Sequence, residues 1–140
     1  MKCRNIAALF LFKNFCMNYF KQDKPFVVPT TDGKLIEEHF GLATTKTSEL
    51  SIAHMVAPAG WSEPHQNPEF DEYTLVSRGK KKFEVDGEEI IVSAGQSILI
   101  KKGSRVRYSN PFDEECEYWS VCLPAFFFRT CSSGGLMFNN

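Results

Sequence analysis

Apolar and polar residues alternate most clearly between Glu72 and Ser109, with the period of two that sends successive side chains to opposite faces of a strand. In Lys80–Val85, Lys80, Lys82 and Glu84 fall on one face, and Lys81, Phe83 and Val85 on the other. Asp86-Gly87 follows, and both residues tolerate the positive φ of a type I′ turn. Glu88–Val92 is therefore predicted as the return strand. The same logic gives Tyr73–Ser77 before Arg78-Gly79, Ser97–Ile100 after Ala94-Gly95, and Arg105–Ser109 after Lys102-Gly103. Asn110-Pro111 breaks the run, and Glu117–Leu123 closes it.

Upstream, the apolar run Leu50–Ala57 suits a strand with both faces covered. Lys24–Thr30, with Pro25 and Pro29, reads as an extended segment at a sheet edge. Thr31-Asp32-Gly33 is a turn, and Lys34–Phe40 fits either one helical turn or a strand. Pro58–Pro68 holds three prolines and a glycine and is expected to be a loop. Many short strands with no long helical pattern predict an all-β sandwich or barrel. At 140 residues this is one domain. It is expected over 24–124, after a disordered or helical N-terminal extension at 1–23 and before a disordered Gly/Ser/Asn-rich tail at 125–140.

Composition narrows the partners. Sixteen Lys plus Arg against 17 Asp plus Glu give a net charge of -1, which supplies no electrostatic reason to bind nucleic acid or an anionic membrane. Five scattered cysteines without a CxxC read as free thiols in a reducing, cytoplasmic compartment. Lys2 and Arg4 precede an apolar run from Ile6 to Phe12 that resembles a poor signal peptide and is too short to span a bilayer. An extra extension is the favoured reading, with Met17 an alternative start. The basic run Lys80–Lys82 reads as a solvated strand edge that discourages sheet-to-sheet pairing.

Candidate chemistry gathers around the Pro-rich segment. His65 and Asn67 are two residues apart and share a side of an extended chain, and Glu72 follows after a turn. A ring nitrogen, an amide oxygen and a carboxylate would make part of a metal site. A hydrogen-bonded loop with solvated acids is the plainer alternative. Tyr118 and Trp119 point to opposite faces of the last strand, so one can line a pocket; Trp119 is the candidate.

These residues resemble the two motifs of the cupin superfamily. The first motif is Gly, five residues, His-x-His, three or four residues, Glu, six residues, Gly. Gly60, His65, Asn67, Glu72 and Gly79 follow it, with a gap after Gly60 one residue short. The second is Gly, five residues, Pro-x-Gly, two residues, His, three residues, Asn. It is matched by Gly95, Lys101 in the Pro position, Gly103, Val106 in the His position, and Asn110. The resemblance covers about residues 50–123 and implies a single-domain double-stranded β-helix, or jelly-roll barrel. In the family the two His of the first motif, its Glu and the His of the second hold one divalent metal. Here only His65 and Glu72 match by type, and Val106 puts an apolar wall where a ligand is expected.

Three arrangements follow. A metal binds weakly through His65, Asn67, Glu72 and waters, leaning to Mn, Fe or Mg with Ni and Zn as further candidates. Alternatively His54, or more weakly Glu69, replaces the missing ligand. Otherwise no metal binds, and the polar residues hold an organic ligand directly. The expected function is small-molecule binding with a degenerate metal site. The alternative is a metal-dependent dioxygenase, isomerase or lyase on a small polar molecule. By analogy with the family, a homodimer is compatible with the outer strands.

Overall fold

The computed structural model describes residues 18–130 and 136–138. The signal-like run at Ile6–Phe12 and the alternative start at Met17 lie outside them. The chain forms β1 (Phe26–Val27), β2 (Leu35–Phe40), β3 (Ser51–Ala57), β4 (Asp71–Arg78), β5 (Lys80–Val85) and β6 (Glu88–Ser93). It continues with β7 (Ser97–Ile100), β8 (Val106–Ser109), β9 (Cys116–Leu123), β10 (Phe128–Thr130) and β11 (Leu136–Phe138). One sheet has the order β1-β2-β3-β9-β4-β7, and a second has the order β6-β5-β8. Neighbouring strands in both sheets run antiparallel. The strands of the domain close round an interior, the all-β jelly-roll arrangement expected from the motifs.

Period-two burial builds that interior. On β3, Ser51, Ala53, Met55 and Ala57 turn inward; on β9, Cys116, Tyr118, Ser120 and Cys122 do so. The two strands pair in register, with Met55 opposite Tyr118 and Ala53 opposite Ser120. The facing sheet supplies Phe83, Val92, Val106 and Tyr108. Burying such side chains is worth roughly 1.5–3 kcal/mol each and is the main force closing the barrel. On the outside of the larger sheet Tyr73, Leu75 and Leu99 remain more than 40% exposed, with Tyr73 directly opposite Leu99.

Two expectations change. Lys34–Phe40 resolves as strand β2, because Ile36 and Glu38 face inward beside β3, and a register shift lies between Glu38 and Phe40. The tail, expected to hold no element, contains β10 paired with β11.

Two glycines at positive φ have distinct jobs. Asp86 (φ 48°) and Gly87 (φ 89°) form the predicted tight turn between β5 and β6. Gly79 has φ 75°, and a Cβ there would lie 2.4 Å from the carbonyl oxygen of Glu115. Gly87 has no heavy atom within 4 Å of that position. Gly87→Ala is therefore expected to cost only the left-handed conformation, about 1–2 kcal/mol. Gly79→Ala adds a backbone clash and should cost about 3 kcal/mol or more. Urea unfolding of the two variants checks the order, and equal midpoints would contradict it.

Candidate functional site

The segment 60–68, expected to be a loop, is an irregular strand laid along β8. Gly60 N–H donates to Asn110 O, Asn110 N–H to Trp61 O, and Glu63 N–H to Tyr108 O. Gln66 and Val106 exchange two backbone hydrogen bonds of 2.8 Å. Trp61 and Glu63 point inward, Pro64 and His65 both point outward, and Gln66 turns back in. That one-residue slip sets what the interior receives.

His65 and Asn67 consequently do not meet Glu72. His65 is exposed, and its Nε2 lies 3.2 Å from Glu84 on the outer face of β5. Asn67 is exposed and donates to Gly103 O at 3.2 Å. Glu69 is exposed. Only Glu72 lies inside, where Tyr108 and Ser120 hydroxyls donate to it at 2.5 Å and 2.6 Å. Val106 is fully buried in the core but does not form the cavity wall. Tyr118 takes the lining place expected of Trp119, which sits on the outer face with its ring 5.0 Å from His39 and 5.1 Å from His54.

The cue for Gln66 was present in the spacing. With five residues intervening after Gly60, the first His position falls on Gln66, not His65, and the next on Pro68. The four ligand positions are then Gln66, Pro68, Glu72 and Val106. Pro68 and Val106 have no donor, Gln66 Nε2 already donates to Glu63 at 2.8 Å, and Glu72 is engaged by two hydroxyls. Among the described residues no group of three or more His, Cys, Asp or Glu side chains is placed to hold an ion. This donor set does not fit a divalent cation.

A cavity of about 40 Å³, counted as positions open to a water's centre, lies between the sheets. One water needs roughly 15 Å³ on that measure, so the space suits a few atoms. Lys34, Glu38, Glu63, Glu72 and Lys81 bring five ionisable groups to its wall. Lys81, read as solvated from the sequence, is only 2% exposed. The inward parity of β5 places its Nζ 3.6 Å from the Tyr118 ring centroid, 4.8 Å from Tyr108 and 5.0 Å from Phe83. Lys34 Nζ lies 5.9 Å from the same Tyr118 ring, 4.3 Å from Trp61, and 3.9 Å from Glu63.

Burial, reinforced by the Lys34 charge, pulls the Lys81 ammonium down to about 8 against the attraction of Glu72 and Glu63. Burial pushes the Glu63 carboxyl up, against the pull of Lys34 and Lys81. It also raises the Tyr108 and Tyr118 hydroxyls and the Cys122 thiol, which keeps all three protonated at neutral pH. Three buried polar atoms on this wall meet no hydrogen-bonding partner in the protein: Glu38 Oε2, Glu63 Oε2 and the Tyr118 hydroxyl. Such groups cost on the order of 1–3 kcal/mol each unless something satisfies them. Half-buried Phe70 and Phe126, edge-to-face at 6.1 Å, edge the cavity where its wall nears solvent.

His54 points out of β3, away from the cavity. Its Nδ1 and Nε2 each sit 2.8 Å from a carboxylate oxygen, on Glu37 and Glu117. Burial alone would lower its pKa, but the hydrogen bonds and charges of Glu37 and Glu117 outweigh this and raise it above 6.5. The stabilisation is therefore complete below 6.5 and is lost as pH climbs through the raised value. Relative to His54→Gln, the wild type should gain about 0.5–1 kcal/mol more at acidic than at alkaline pH. Urea unfolding across pH checks this, and a pH-independent difference would contradict it.

A family model described as a cupin domain matches residues 53–122, half of the chain. The protein named Endoribonuclease YbeY from Myxococcus xanthus (strain DK1622) is 50% identical over 100 residues, which are 71% of this chain and 34% of that protein. The chain thus spans about a third of that relative's length. Among solved structures, an RmlC-like cupin from Shewanella frigidimarina NCIMB 400 matches with TM-score 0.63 and 14% identity, over 78% of this chain and 92% of that one. KdgF from Halomonas sp. matches at TM-score 0.60 and 14% identity, over 71% and 86%. The EutQ protein of Clostridium difficile matches at 0.56 and 24%, over 66% and 63%. These structures share the fold. With the family model covering half its length and the barrel built as the two motifs require, the chain belongs to the cupin family.

Proposed function

We propose that this cupin binds a small polar organic molecule in the interior cavity without help from a metal. The observation that carries this reading is the set of orphaned polar atoms, Glu38 Oε2, Glu63 Oε2 and the Tyr118 hydroxyl, around a space that also holds the Lys34 and Lys81 ammonium groups. A ligand with hydroxyl or amino donors satisfies the two carboxylate oxygens. An oxygen acceptor on it meets Tyr118 or a lysine. Specificity in such a site comes from a few placed polar groups within an otherwise apolar wall. Ala53, Met55 and Ile36 supply the apolar part.

The endoribonuclease name belongs to a protein about three times the length of the matched region. RNA binding depends on cations that neutralise phosphates. The two cavity lysines are instead enclosed and faced by three carboxylates. The endoribonuclease activity is therefore not carried over to this chain.

Two measurements test the reading. Native mass spectrometry of protein purified without chelators should detect a small organic molecule, and thermal shift with Mn, Fe, Mg, Ni or Zn should leave Tm unchanged. Near-stoichiometric metal that disappears in Glu72→Ala would overturn the proposal. An ammonium kept for binding carries a burial cost. Lys81→Met lifts that cost but leaves buried Glu63 and Glu72 without the cation that attracts them, so it should destabilise the unliganded protein by about 3 kcal/mol and lower Tm. An unchanged or higher Tm would show that the carboxylates do not depend on Lys81.

A further inference from the structure

Lys81 has an environment unlike that of an ordinary buried ion pair. It is almost fully enclosed, yet the groups nearest its Nζ are aromatic faces, led by Tyr118 at 3.6 Å. Its side chain reaches the wall of a cavity, so the nitrogen has somewhere to react. A second cation, Lys34, lies near the same ring, 5.9 Å from its centroid. Desolvation plus a neighbouring cation is the combination that keeps a lysine amine neutral and nucleophilic. The lowered value of about 8 agrees with this geometry and leaves about a tenth of the amine neutral at pH 7.

We propose that Lys81 forms an imine with a small neutral hydroxy-carbonyl compound, a hydroxyaldehyde or hydroxyketone, held in the cavity. This rests on the metal-free binding reading above and names the ligand class. The charge of the wall selects a neutral ligand: Glu38, Glu63 and Glu72 already match or outnumber Lys34 and Lys81, so an anionic oxo acid gains little. The ligand's hydroxyl donates to an orphaned carboxylate oxygen of Glu38 or Glu63. The size of the space, about 40 Å³, limits it to a few heavy atoms.

The chemistry balances without an oxidant or reductant. The neutral Nζ lone pair attacks the carbonyl carbon, a C–N bond forms, and the carbonyl π bond breaks. A proton passes from nitrogen to oxygen, giving a carbinolamine. Protonation of its hydroxyl lets the C–O bond break and water leave, and the nitrogen lone pair becomes the C=N bond. The net change is amine plus carbonyl to imine plus water. Glu63, its carboxyl pushed up by burial and its Oε2 without a hydrogen bond though 3.9 Å from Lys34 Nζ, is the wall group suited to deliver and recover that proton.

The test uses glycolaldehyde with sodium cyanoborohydride on the folded full chain, followed by peptide mapping. Lys81 should be alkylated at least tenfold faster than exposed Lys46 or Lys102 near neutral pH. Its rate should level off above pH about 8, while the exposed lysines keep accelerating. Labelling of Lys81 no faster than the exposed lysines overturns the imine. If glycolaldehyde raises Tm but Lys81 stays unlabelled, the imine falls and the binding cavity stands. If it neither raises Tm nor labels Lys81, this ligand class falls too, while native mass spectrometry still judges metal-free binding on its own. Glu63→Gln should slow labelling of Lys81 without changing that of Lys46, and an unchanged rate removes Glu63 from the proton transfer.

Discussion

An ammonium group confined between two sheets is the constraint around which this interior is arranged. Water is the best solvent for such an ion, and the fold replaces it with three aromatic faces and, at longer range, the charges of Glu63 and Glu72. Aromatic faces alone return only part of the lost hydration. The nearby carboxylates must therefore stay in place, and Glu72 is anchored by Tyr108 and Ser120 from two different strands. Glu63 is set by the ladder between segment 60–66 and β8 and steadied by Gln66. The polar interior works as one network, in which moving one member unsettles the charge balance of the others.

The same network shapes what the interior offers a bound group. At the four ligand positions of the motifs the barrel presents one carboxylate, Glu72, held by two hydroxyls. Its fixed positive charges come from side chains instead. A resident cation built from lysine differs from a metal ion in one essential way: it carries a titratable nitrogen.

Much of the barrel was legible in the chain. β4 to β9 follow from alternation and from turn residues such as Asp86-Gly87, because short-range backbone geometry decides them. Lys34–Phe40 stayed ambiguous because Leu35-Ile36 and Phe40 fit both periods, and pairing with β3 alone settled it. The interior was far less legible. Lys81 shares the inward parity of Phe83, which the sequence displays, but nothing local says which face of β5 is covered. The direction came from the facing sheet, whose β9 sets Tyr118 against Lys81. The outward turn of His65 arose from two successive outward residues, Pro64 and His65, in a segment whose pairing with β8 is not written in its composition. Tyr118 and Trp119 are adjacent aromatics, and only the register of β9 against β3 and β4 decides which is enclosed.

The slip at His65 also bears on redesign of the interior. Gln66, Pro68 and Val106 occupy three positions where imidazoles would be needed. No single substitution supplies all three. The replacement at Gln66 also removes the amide that donates to Glu63, so a complete imidazole set here requires rebuilding the neighbouring carboxylate's support at the same time.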